Sequence, residues 1–143
     1  MDSIRLQHAE DAQALSACFA LMRELRPHLE SAEAFHRQVE RQAVQTYRLL
    51  AAWEHEQAMA LAGYRLQENL LYGKFIYIDD LVVAPQARSR GLGKRMIDAV
   101  RDEARHLGCA YLVLDTGLAN ALGQRFYFRQ GLLSKGLHFF QAL

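Results

Sequence analysis

Residues 77–95, Tyr-Ile-Asp-Asp-Leu-Val-Val-Ala-Pro-Gln-Ala-Arg-Ser-Arg-Gly-Leu-Gly-Lys-Arg, gather most of the side chains with chemical potential in this chain. Two adjacent carboxylates, Asp79 and Asp80, stand inside an apolar run, and Arg88, Arg90, Lys94 and Arg95 surround Gly91 and Gly93. A helix that starts in those glycines leaves about four backbone N–H groups unsatisfied and carries about half a positive charge at that end. Glycine removes the Cβ atoms that would hold an anion away from the N–H groups. The cations add charge-assisted donors. The chemistry expected is the cradling of a pyrophosphate. Two familiar phosphate motifs fail: Met96 stands where G-x-G-x-x-G needs its third glycine, and Arg95 follows Gly93-Lys94 where a P-loop needs Ser or Thr. What matches is R-x-x-G-x-G, at Arg88, Gly91 and Gly93.

The elements that must position this stretch follow from periodicity. Residues 3–7 alternate weakly and predict a short strand. Residues 11–25 place Leu15, Cys18, Phe19, Met22 and Leu25 at helical spacing before Pro27. Ser31 predicts the N-cap of a second helix to about residue 45. Residues 47–53 and 58–66 predict a hairpin turning at His55-Glu56-Gln57. Residues 74–83 are apolar on both faces, as in a central strand covered on each side. Residues 91–107 form the clearest helix, with Met96, Ile97, Val100, Ala104 and Leu107 on one stripe and Gly108 as the stop. Residues 109–114 predict a buried strand, 120–130 a helix ended by Gly131, and 138–143 a closing strand. The order β-α-α-β-β-β-α-β-α-β is that of an α/β domain with a mixed sheet.

A second constellation lies downstream: Leu112-Val-Leu-Asp115-Thr116, then Asn120, Gly123, Phe126-Tyr127 and Gly131-Leu132. Asn120, Gly123 and Tyr127 are spaced three and four apart and are expected on one helix face, suiting a ligand that lies close against the helix.

Together the two blocks resemble the acetyl-CoA-binding motifs of the GCN5-related N-acetyltransferases, the GNAT superfamily, and the likeness covers nearly the whole chain. The resemblance implies an α/β fold with a mixed, mostly antiparallel sheet of about six to seven strands, splayed at its centre and flanked by about four helices. It implies one N-acetyltransferase domain over residues 1–143, acetyl-CoA as acetyl donor, and direct transfer to a primary amine of a small molecule or peptide. The backbone of Leu81, Val82 and Val83 would then contact the pantetheine arm and polarise the thioester carbonyl. Arg88, Ser89, Arg90, Gly91, Leu92, Gly93, Lys94 and Arg95 would hold the pyrophosphate. Asn120, Gly123 and Tyr127 would line the opposite wall. Departures from the pattern are Arg88 for the frequent Gln, Gly123 for alanine, Phe128 for an acidic residue and Leu132 for phenylalanine. They touch packing and the acceptor side more than the CoA site.

An amine of pKa ~10.4 is almost entirely protonated at neutral pH, so a base or water relay is expected. The candidates are Asp79 and Asp80. Strict strand alternation sends them to opposite faces, Asp79 with Tyr77, Leu81 and Val83. Tyr127 is the candidate general acid, its phenol delivering a proton to the departing thiolate. Two carboxylates near a cleft lean towards a cationic acceptor. Arg26, His28, Glu68 and Tyr72 are further candidates for the acceptor wall. A non-catalytic acyl-CoA sensor and a protein lysine or N-terminal acetyltransferase remain alternatives.

Composition sets the outer bounds. The 143 residues carry 17 Lys+Arg against 16 Asp+Glu, a formal charge of +1. That gives no basic field for nucleic acid. One domain of this size buries roughly 68–70% of its unfolded surface. Only Cys18 and Cys109 are available, and the six histidines show no HxxxH or HExxH spacing, so no metal site is expected. No apolar run approaches the ~20 residues of a membrane span. The expectation is a cytoplasmic protein without membrane or nucleic-acid partners, and the resemblance adds a homodimer.

Overall fold

The computed structural model describes residues 3–143. Its helices begin where the capping chemistry places them. Asp11 accepts a hydrogen bond from the Ala14 N–H (2.8 Å) and opens α1 (Ala12–Leu25). Ser31 accepts from the Ala34 N–H (3.1 Å) and opens α2 (Ala32–Ala43). Each cap satisfies one of the orphan donors of a first turn. Helix α3 (Leu92–His106) starts from Gly91, and α4 (Ala121–Arg129) from Asn120.

The strands are β1 (Ile4–His8), β2 (Arg48–Glu54), β3 (Gln57–Asn69), β4 (Gly73–Val83) and β5 (Tyr111–Leu114). They form one sheet in the order β1-β2-β3-β4-β5, with β1 to β4 successively antiparallel. β4 lies inside the sheet, between β3 and β5, though β3 holds the centre; the four helices agree with expectation, and so does the hairpin turning at His55-Glu56. The closing strand does not. After Leu114 the described residues contain no strand, and Phe139 and Phe140 are exposed. A strand is stabilised by the ladder it joins more than by its own propensity. His138 instead meets Asp115 through Nδ1 at 2.9 Å. The sheet thus has five strands.

The chain divides into two compact units, one ending at Val113 and the other Leu114–Leu143. In the first, α1 packs on β3, β4 and α2, and α3 packs on β2, β3 and β4. Leu15, Cys18, Met22, Met96, Ile97 and Val100 on the helices and Ala51, Ala52, Ala60 and Ala62 on the strands are all buried. Those small strand residues are poor strand formers in isolation. Their use here lets the large helix side chains fill the core at close packing. The second unit consists of the end of β5, α4 and the segment after it.

One irregularity decides the geometry of the site. In the β3–β4 ladder Tyr64 pairs with Ile78 and Gly63 with Asp80, so Asp79 is an extra residue in β4. Such a bulge inverts the alternation beyond it.

Candidate functional site

The bulge overturns the expectation that Asp79 and Asp80 face opposite ways. Up to Ile78 the odd residues Phe75 and Tyr77 share a face with Gln67 and Arg65 of β3; beyond Asp79 the even residues take over that face. Asp79 and Asp80 therefore both line one cavity of about 480 Å³. Leu81 and Val83 belong to the other face, with Ile78, rather than with Asp79. The cavity is walled by α1 and the α1–α2 corner (Met22, Arg26, Leu29), by α2, and by Tyr47 and Arg65 on the sheet.

Each carboxylate is already partnered. Arg65 donates from Nε and an Nη to both oxygens of Asp79, each at 2.8 Å, in the bidentate geometry that favours Arg. Those bonds, stronger than the opposing effect of partial burial, push the Arg65 pKa above its ordinary high value. The guanidinium also stands 5.8 Å over the Tyr77 ring. Asp80 accepts from Arg26 Nε (3.0 Å) on one oxygen and from the Tyr47 hydroxyl (2.8 Å) on the other. Arg26 further donates to the Asp79 backbone carbonyl at 2.7 Å. Tyr47 is buried; burial first, then the neighbouring Asp80 charge, pushes its phenol well above the ordinary tyrosine value. A Cβ on Gly63 would fall on the Tyr47 hydroxyl and within 2.8 Å of Asp80 Oδ2. Only glycine leaves room for that hydrogen bond.

Tyr47 and Arg65 are the site residues that sequence reasoning missed. Their contacts join residues 14 and 33 positions apart, beyond the reach of local pattern. A signal existed in Gly63: an isolated glycine inside an apolar strand marks a bulge or a close approach. Of the other acceptor-wall candidates, Arg26 and His28 line the cavity. Glu68 and Tyr72 do not; Tyr72 stacks with Phe75 and Tyr111 near the β3–β4 turn.

Past Val83 the chain runs through a short 3-10 turn (Pro85–Ala87) into α3. Ser89 and Gly91 both take positive φ, 74° each. Gly91 serves as N-cap, and no side chain caps the helix. The first-turn donors at Leu92, Gly93 and Lys94 thus keep their anion-binding potential. Arg88, Ser89 and Arg90 are exposed beside them. Among the expected cations, Arg90 meets Glu54 at 2.8 Å and Lys94 meets Asp98 at 2.6 Å. Arg95 is half-buried. The uncapped left-handed start and the flanking cations fit a pyrophosphate. Leu81, Val82 and Val83 pair with Ala62, Leu61 and Ala60 on one side. Ala110 donates to the Lys74 carbonyl at the start of β4, and β5 has only four residues. Such a short strand cannot reach the far end of the eleven-residue β4.

In the second unit Asn120 is the cap of α4, not part of its face. Its side-chain oxygen accepts from the Gly123 N–H at 3.0 Å and its amide donates to Thr116 at 2.9 Å. A Cβ on Gly123 would strike the Asn120 side chain, which explains glycine at this position. Tyr127 is half-buried, its ring 5.3 Å from Phe126, and burial pushes its phenol pKa up. No cluster of three or more His, Cys, Asp or Glu able to hold a metal occurs among the described residues.

Residues 13–132 match the acetyltransferase (GNAT) family. The uncharacterised N-acetyltransferase YhdJ of Bacillus subtilis is 28% identical over 124 residues, 87% of each chain. An aminoalkylphosphonate N-acetyltransferase of Salmonella typhimurium is 29% identical over 98 residues, 68% of this chain and 62% of that protein. Among solved structures, the aminoglycoside N-acetyltransferase AAC(6')-Iy in complex with CoA superposes with a TM-score of 0.85 at 19% identity, covering 98% of this chain and 94% of that one.

Proposed function

The chain belongs to the acetyltransferase (GNAT) family, and from that premise we propose that it transfers the acetyl group of acetyl-CoA directly to the amine of a small molecule held in the Asp79–Asp80 cavity. The observation that carries this reading is a single strand, β4, which presents two carboxylates to a cavity and then leads into an uncapped, glycine-opened helix. Two of the similar proteins, named for aminoalkylphosphonate and aminoglycoside acceptors, lend support, since both names denote small amines.

Acetyl-CoA, when bound, supplies a thioester whose leaving group is a stable thiolate. Arg88, Ser89 and the backbone of Gly91, Leu92, Gly93 and Lys94 hold its pyrophosphate, with Arg90 and Arg95 adding charge. Backbone groups of Leu81, Val82 and Val83 orient the arm and polarise the carbonyl. Asp79 is committed to Arg65 through both oxygens, so Asp80, gripped by a neutral hydroxyl and a half-exposed arginine, is the carboxylate that meets the amine and relays its proton. Tyr127 returns a proton to the leaving thiolate; its raised pKa keeps it protonated for that task. Asn120 and Gly123 shape the start of α4 that carries Tyr127. The whole of residues 1–143 acts as one such domain, in the cytoplasm, with a homodimer as the assembly the family resemblance supports.

The deciding experiment is CoA release from acetyl-CoA measured against a panel of amines. Amine-dependent release is expected. Tight acetyl-CoA binding with no turnover on any amine would replace this reading with a sensor domain.

A further inference from the structure

The two ion pairs in the cavity are unequal. Arg65 and Asp79 are joined through both oxygens, with side chains 27% and 21% exposed. Arg26 reaches Asp80 through one oxygen only, and its side chain is 42% exposed against 13% for Asp80. The other oxygen of Asp80 stays with Tyr47. The Arg26–Asp80 pair is thus the one an incoming molecule can open, Asp80 remaining fixed while Arg26 turns.

What can open it without loss is restricted. An acceptor that brings only positive charge takes Asp80 and leaves the guanidinium facing it with the Asp79 carbonyl as its partner and no counter-charge. An amine with an uncharged tail does the same. Leaving one partner of a partly desolvated pair without its counter-charge costs more than exchanging both partners at once. A molecule that carries an amine and an anion together strands neither. The carboxylates near the cleft therefore do not make it a polycation site, because the cavity already holds one arginine for each. Its volume of about 480 Å³ suits a small molecule. Phe35 and Val39 offer apolar contact to a short connecting chain, and Gln38 and Gln42, joined to each other at 3.0 Å, add carboxamides to the wall.

Resting on the reading of this cavity as the acceptor site, we propose that the acceptor is a zwitterion, its amine against Asp80 and its anionic group against Arg26, the resident ion pair being exchanged for two matching ones.

The test compares ω-amino acids and ω-aminoalkylphosphonates of two to five carbons with amino alcohols and diamines of the same lengths, using the intact protein with acetyl-CoA. For at least one length, kcat/KM for a zwitterion is expected to exceed both counterparts tenfold or more; the carboxylate and phosphonate arms identify the anion. Arg26→Gln should collapse that preference towards unity, mainly by raising KM for the zwitterion. Arg26→Lys, which keeps the charge, should restore part of it and guards against a variant that misfolds. Equal or better turnover of diamines or amino alcohols, or a preference that survives Arg26→Gln, overturns the proposal. So does failure of every zwitterion. In that case CoA release with any other amine, peptide amines included, leaves the acetyltransferase reading standing, and no release from any amine removes both.

Discussion

The Tyr47 hydroxyl donates to Asp80 at 2.8 Å across the bare α-carbon of Gly63, from the residue that leads into β2. The contact exists because the intervening residue has no side chain. Replacing it, Gly63→Ala, should push tyrosine and carboxylate apart, costing about 1–3 kcal/mol as overpacking of a filled site does. Urea denaturation would show the loss of stability, and KM for the amine should rise in the same variant.

The same tyrosine sets an alkaline limit. Its folded-state pKa lies above the unfolded value near 10, so its contribution to stability is complete below pH 10. Stability then falls as pH rises, since the unfolded chain releases the proton first, with a slope of about 1.4 kcal/mol per pH unit for one such group. Tyr47→Phe should be less stable near neutrality by about 1 kcal/mol, for the lost hydrogen bond. It should also lose stability less steeply above pH 10. Chemical denaturation at a series of pH values checks both statements.

Gly91 takes φ 74° as the N-cap of α3. A side chain there costs about 1–2 kcal/mol in the left-handed region. Gly91→Val should therefore raise KM for acetyl-CoA by about tenfold, at roughly 1.4 kcal/mol per factor of ten, with less effect on KM for the amine. Double replacement of Gly91 and Gly93 by bulky residues should abolish acetyl-CoA binding in calorimetry.

Tyr127→Phe should lower kcat by about 10²–10⁴-fold if its proton is delivered to the leaving group. Because burial raises the phenol pKa, the alkaline limb of kcat belonging to it lies above pH 10, and the variant should lack that limb. Full retention of the rate with a basic amine would remove the role.

Much of this was legible locally. The stripe of Met96, Ile97, Val100 and Ala104 placed α3 to within a residue, because helical burial repeats every 3.6 residues whatever it packs against. The apolar faces of β4 marked it as a strand inside the sheet, though not as second from its edge, and Ser31 capped α2 as expected. What escaped was long-range. Whether Asp79 and Asp80 diverge depends on the register against β3, and alternation read along one strand contains no information about its partner. The guanidinium partners of the carboxylates, Arg26 and Arg65, arrive from a helix end and a neighbouring strand. Likewise Phe139 and Phe140 have strand character in isolation, yet propensity without a ladder is not a strand. Asn120 read as a ligand residue, while the structure uses its side chain for a cap, the commonest task of asparagine before a helix.

The extra residue in β4 also constrains how this segment can change. A substitution at Asp79 alters one side chain and leaves the strand's phase intact. A deletion there would remove the bulge and still leave Asp80 opposite Gly63 and Leu81, Val82 and Val83 opposite Ala62, Leu61 and Ala60, so that Asp80 keeps Tyr47 while Arg65 loses its carboxylate. The extra residue thus adds a second carboxylate to a face that Asp80 holds through its own pairing.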